Sequence, residues 1–225
     1  MKRNVLLSAV AFLVFGCCLS GLASDVVSSD SVSPDQALVK LLAGNRNFVL
    51  LKPAHPHETR ARRAEVAMGQ HPIAVIVGCS DSRVPPELLF DQGEGDLFIV
   101  RVAGNIVDDV VLGSIEFGVM KLGARLVMVL GHERCGAINA TVKGGEAPGH
   151  IRNLIEAIAP SVAAARTEPG DLAENAMRLN VKRMVKKIKE TPPILKELIE
   201  KGTVKVVGAR YDLDDGSVSI YDLEK

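Results

Sequence analysis

The segment VGCSDSRVPPE, residues 77–87, follows the apolar run IAVIV and sets Cys79, Asp81 and Arg83 at alternate positions. A thiol, a carboxylate and a guanidinium facing one side of a strand end are costly to bury unless they are paired or bind something. A second apolar run, LVMVLG, ends in related chemistry, with His132 and Cys135 in GHERCG. If the two runs are neighbouring strands, two thiolates, an imidazole and a carboxylate converge. Zinc suits that set, because it takes tetrahedral sulfur and nitrogen ligands with a carboxylate or water in the fourth place. Cys79, His132 and Cys135 are then three firm ligands, and Asp81 has two available jobs. It can fill the fourth position and close the site. Alternatively it can turn away and accept a hydrogen bond from a zinc-bound hydroxide, which forms near neutral pH because the metal lowers the pKa of water to about 7. The planar fork of Arg83 can hold the Asp81 carboxylate, keeping it ionised and off the metal. Two bland readings compete. A disulfide between Cys79 and Cys135 leaves His132 and Asp81 unexplained, and a closed structural zinc site has no use for Arg83. A thiol oxidoreductase is disfavoured by the absence of any CxxC spacing.

Such a set needs strands that end together. Runs of strand length recur at 73–78, 96–104, 124–131 and 203–212, rich in Val and Ile and apolar on both faces. Between them lie helical patterns at 110–123, 136–144 and 171–190. That alternation predicts an α/β fold with a parallel sheet covered by helices on both sides. In such sheets ligands sit beyond the carboxyl ends of the strands. The closing segment ARYDLDDGSVSIYDLEK places an Asp215-Gly216 turn between alternating residues, which predicts a fifth strand folded back as an antiparallel edge. Upstream, SPDQALVKLLAGN predicts a helix capped by Ser33, with Pro34 at its first position, Gln36 completing a capping box and Gly44 as its stop. A second helix is predicted over HETRARRAEVAMGQ. In VKRMVKKIKE, Val181, Met184, Val185 and Ile188 share one face opposite the lysines, as in an ordinary amphipathic helix.

The first residues stand apart. MKRNVLLSAVAFLVFGCCLSGLAS has two basic residues, an apolar stretch and then small residues, the pattern of an export signal over 1–23. A polar, Ser-rich linker covers 24–32, and one domain covers 33–225. Periplasmic localisation is expected. A rival reading cleaves before Cys17 in VFGC and lipidates it, and only then would the protein touch a membrane. Charges balance at 27 acidic and 27 basic residues, and neither a basic stripe nor stacking aromatics suggests a nucleic-acid partner. KGGEAPGH reads as a loop without the ending of a phosphate-binding motif.

CSDSR followed some fifty residues later by GHERCG resembles the β-class carbonic anhydrases. The resemblance extends through QHP, CSDSRVPPELLFDQGEGDLFIVRVAGNIV and GSIEFGVMKLG to GHERCGAI, and takes in SPDQALVKLLAGNRNFV, LNVKRMV and VVGARYDLDDGSV. It implies one Zn2+ per chain on Cys79, His132 and Cys135, with Asp81 and Arg83 as the dyad gating the metal. It also implies a substrate pocket at a dimer interface, in a homodimer or tetramer. Gln70, reaching from the partner chain, would hydrogen-bond bicarbonate, Phe98 would be an apolar wall, and Gly136 would offer its N–H near the metal. Ala103 stands where some members have valine, and Phe117 where plant members have tyrosine. Ile76 replaces a tryptophan of members that carry a regulatory bicarbonate site, so that regulation is not expected. The implied reaction is reversible hydration of carbon dioxide to bicarbonate by zinc-bound hydroxide. The proton carrier stays open between buffer, Asp81 and a histidine such as His150. Rival functions are hydrolysis of carbonyl sulfide or carbon disulfide on the same site, and a non-catalytic periplasmic zinc- or anion-binding protein.

Overall fold

A computed structural model describes residues 32–221. The expected signal peptide, Cys17 and all but the last residue of the expected linker lie outside the described residues. Among the described residues five strands form one sheet in the order β2-β1-β3-β4-β5. They are β1 (Ala74–Gly78), β2 (Leu97–Arg101), β3 (Leu126–His132), β4 (Lys205–Tyr211) and β5 (Val218–Tyr221). The first four run parallel, and β5 pairs antiparallel with β4, as the alternation of apolar runs and the final turn predict. β1 and β3 are immediate neighbours, with Gly78 level with Leu130, so the chain leaves both strands at the same end of the sheet.

Every residue of β1 and β3 is buried, the signature of strands covered on both faces. On one face Val75, Val77, Val127, Val129 and Val206 pack with α4 (Asp109–Met120), α5 (Gly136–Lys143), α6 (Ile151–Ala165), α7 (Leu172–Glu190) and α8 (Ile194–Glu200). On the other, Ile76, Leu126, Met128, Leu130 and Ala209 pack with α1 (Pro34–Val49) and α3 (Pro86–Leu89). The α7 residues Val181, Met184, Val185 and Ile188 are all buried, as their spacing predicts.

Two expectations need correcting, and one helix goes unpredicted. The Ser33–Gln36 capping box opens α1 as predicted, but Gly44 does not stop it, and the helix continues to Val49. A Cβ at Gly44 would lie 1.7 Å from the Phe90 carbonyl oxygen, so this glycine serves a close approach to α3. The next residue, the buried Asn45, ties the same helix to the Leu89 and Gly216 carbonyls and to the Val218 N–H. The second helix, α2, is shorter than predicted, Arg60–Val66, because His57 is left-handed (φ 58°) and Thr59 supplies the cap by accepting from the Arg62 N–H. Finally, the sequence pattern marks no helix at 151–165, where α6 runs through Pro160. A proline inside a helix hides the pattern without preventing a packed helix from forming.

Candidate metal centre

β1 ends at Gly78, so Cys79, Asp81 and Arg83 lie on a loop and not on an alternating strand end. The loop still separates them by depth. Cys79 is buried, Asp81 partly buried and Arg83 exposed. At the end of β3, His132 is fully buried, and Cys135 is the N-cap residue of α5.

The donor atoms of Cys79, His132 and Cys135 all lie within 4.8 Å of one another. The two sulfurs are 4.0 Å apart, and both cysteines are free thiols. That is twice the length of a disulfide bond, roughly 2.05 Å. It is close to the edge, about 3.8 Å, of a tetrahedron built on zinc–sulfur bonds of about 2.3 Å. His132 completes the case. Its Nδ1 lies 2.9 Å from the Glu133 carbonyl oxygen, which can only accept, so Nδ1 carries the proton. Nε2 is left with a bare lone pair, buried and without a hydrogen-bond partner. A buried acceptor with nothing to accept is costly in a finished core, and a metal would satisfy it. The donor set and the orphaned nitrogen therefore fit zinc.

Asp81 faces the same point. Its Oδ2 lies 3.8 Å from His132 Nε2. Arg83 grips the carboxylate with three donors: its backbone N–H (3.0 Å) and Nε (2.9 Å) on Oδ1, and Nη2 on Oδ2 at 2.7 Å. These bonds hold the Asp81 carboxyl well below the usual carboxylate range. The two thiols share a proton. The hydrogen bond between them, opposed by burial and aided by His132 and the Gly104 N–H, pulls Cys79 down, and the same contact with burial pushes Cys135 up. One thiolate thus forms easily, and the N–H groups of Ala137 and Ile138 at the start of α5 favour ionisation of the second.

Of the residues that the family resemblance adds, Ala103 and Gly136 adjoin this cluster. Ala103 opens the 3-10 turn Ala103–Asn105 beside Gly104, whose N–H lies 3.2 Å from Cys79 Sγ, and Gly136 directly follows Cys135. Gln70, Phe98 and Phe117 are not gathered with it in the single chain. Gln70 is exposed ahead of β1, at the opposite end from Cys79. Phe98 is level with Val75, and its ring meets Phe117 of α4 at 6.2 Å between centroids, beside the edge strand β2. His150 heads α6 and makes no side-chain capping bond there. Ile76 is fully buried in the core.

Arg101 goes unmarked by the sequence motifs. At the end of β2 it donates from Nε to the Cys79 carbonyl (2.9 Å) and from Nη2 to the Asp81 carbonyl (2.5 Å), pinning the loop that carries both side chains. The strand-end rule does not mark it, because the apolar run read from the sequence, 96–104, continues past Arg101.

A family model described as carbonic anhydrase matches residues 74–218. Carbonic anhydrase 2 of Mycobacterium tuberculosis is 40% identical over 196 residues, covering 85% of this chain and 95% of that protein. Among solved structures, a tetrameric β-carbonic anhydrase of the fungus Sordaria macrospora superposes with a TM-score of 0.68 at 23% identity, covering 82% of this chain and 96% of that one. The Coccomyxa β-carbonic anhydrase, solved with acetazolamide, superposes with a TM-score of 0.65 at 27% identity, over 81% and 85% of the two chains.

Proposed function

The chain belongs to the carbonic anhydrase family, in its β-class, and from that premise we propose that it hydrates carbon dioxide reversibly to bicarbonate and a proton at a zinc ion held by Cys79, His132 and Cys135. The observation that carries the metal is the buried, unpartnered His132 Nε2 beside two free thiols. Bound there, zinc would supply a Lewis acid able to ionise water near neutral pH. The rest of the work belongs to the chain. Glu133 fixes the His132 tautomer through its carbonyl. Asp81, kept ionised by Arg83, turns Oδ2 toward the cluster as an acceptor for the proton of the attacking water. With that proton engaged, the water oxygen directs its remaining lone pair at the carbon of the substrate. Arg83, by holding Asp81, would also keep the carboxylate from binding the metal itself.

The homo-oligomer belongs to the same proposal. Val110, Phe117 and Met120 of α4 are exposed beside the edge strand β2, an apolar surface suited to a second copy of the chain. Pairing there would bring Gln70 from the partner toward the metal. Export to the periplasm, from the basic and apolar pattern of 1–23, is proposed with it.

Stopped-flow hydration of carbon dioxide, run on protein of measured zinc content, tests the activity. Turnover that follows zinc occupancy supports it. A fully zinc-loaded protein with no turnover overturns it, and sulfide release from carbonyl sulfide by that same sample would identify the hydrolase instead.

A further inference from the structure

Asn180, in the middle of α7, is completely buried in an otherwise apolar stretch of that helix's inner face. Leucine or valine would fill the place without the cost of burying an amide. The amide is instead engaged on both sides. Its Nδ2 donates to the Gly104 carbonyl at 2.9 Å, and its Oδ1 accepts from the hydroxyl of the buried Ser161 of α6 at 3.3 Å. Gly104 in turn directs its N–H at Cys79 Sγ, 3.2 Å away. The glycine is left-handed (φ 73°), so any side chain there would be strained, and its Cβ, 2.7 Å from Ile158 Cδ1, would have to displace that methyl. The same face of α7 holds the next part of the loop. Met184 Sδ accepts from the Val107 N–H at 3.1 Å, and Lys187 Nζ donates to the Val107 carbonyl at 2.8 Å. Positions 180, 184 and 187 are one helical stripe, so α7 acts as a mould for residues 104–107.

We propose that Asn180 is a positioning residue of the metal centre: by anchoring the Gly104 carbonyl it fixes the backbone at Gly104, so that the N–H on the other side of the same Cα donates to the Cys79 sulfur. A hydrogen bond to a ligating sulfur draws electron density from it and orients it, which tunes both metal affinity and the electronic character of the ligand. The inference rests on the zinc reading above and extends it to a residue about a hundred positions along the chain from Cys79.

The experiment uses the full-length protein loaded with zinc, for chelator competition, and with cobalt(II), for absorption spectroscopy. In Asn180→Leu, which keeps bulk and removes the donor, the sulfur-to-cobalt charge-transfer band is expected at longer wavelength, and zinc is expected to bind roughly 10-fold or more weakly. Met184→Leu loosens the same loop without touching Gly104, and is expected to lower stability while leaving the band in place. Asn180→Asp, of the same shape but with an acceptor facing the Gly104 carbonyl, gives the same readout if the leucine variant does not fold. A folded Asn180 variant whose band and zinc affinity match the wild type overturns the inference and leaves the zinc reading intact. So does a band that moves as far in Met184→Leu. Wild-type protein that takes up no stoichiometric zinc overturns the zinc reading, and this inference with it.

Discussion

The side chains of the site differ in what their loss should do. Cys79→Ser and His132→Ala remove proposed ligands, and each is expected to lower zinc retention at least roughly tenfold while the far-ultraviolet circular dichroism stays native, because Cys79 lies on a loop and His132 is the last residue of β3, outside the body of the sheet. Arg83→Ala leaves Cys79, His132 and Cys135 in place and keeps the backbone N–H at position 83, yet frees Asp81 from both guanidinium donors. The expectation is a fall of about 10- to 100-fold in kcat/KM with zinc content unchanged, measured by stopped-flow hydration. Arg83→Lys should restore only part of it, since a single ammonium cannot span both carboxylate oxygens. If instead Arg83→Ala hydrates carbon dioxide at the wild-type rate, the dyad is an ordinary surface pair. At this scale the sequence is legible where residue type dictates chemistry, and the fold brings the donor atoms of Cys79, His132 and Cys135 together. The thiols, the imidazole and the Asp–Arg pair were all legible, whereas Arg101 and Asn180 were not, because both act through backbone carbonyls that no side-chain pattern announces.

At the scale of elements, glycine and asparagine carried the information that propensity misread. Gly44 looked like a helix stop and proved to be a contact point between α1 and α3. Gly44→Ala is therefore expected to destabilise the protein by about 3 kcal/mol, despite the better helix propensity of alanine, as read from urea unfolding. Were the substitution neutral or stabilising, the close packing of α1 on Phe90 would be wrong. The closing hairpin shows the same lesson in milder form. The Asp215-Gly216 signal did mark the turn, but the loop is longer than two residues. It closes through the Asp212 N–H on the Ser217 carbonyl, and the Asp212 carboxylate accepts from the N–H groups of Asp214 and Asp215. Helix α6 was hidden by Pro160, and only the packing of its buried residues Ile158, Val162 and Ala165 against the core accounts for it.

Over the whole molecule, paired carboxylates couple stability to pH. Arg210 bonds Asp212, Glu174 and Glu133 at once, and holds the Asp212 carboxyl down at about 2. Asp81 and Asp214 are lowered as well, by Arg83 and Arg134, and so is Asp91, whose burial acts to raise it but is outweighed by N–H donors from Ala54, Asn47 and His55. A carboxyl lowered on folding contributes stability that is fully present above its unfolded pKa, about 4, and is lost as pH falls through the folded value. The urea midpoint should accordingly hold steady from about pH 7 to 5 and drop below about pH 4. A midpoint unchanged down to pH 2 would show that these pairs do not stabilise the fold. Removing zinc with a chelator at neutral pH should also lower the midpoint, by an amount that grows with the free zinc concentration of the loaded sample. What the sequence determined by itself was the α/β class, the strand runs and the side chains that could hold a metal, because hydrophobic periodicity and residue chemistry are local properties. Only the tertiary structure decided that β1 and β3 lie side by side, that His132 Nε2 is left without a partner, and that a helix a hundred residues downstream reaches Cys79 through Gly104. Those facts depend on which buried polar atoms find partners once distant segments pack, and that is settled by the fold as a whole.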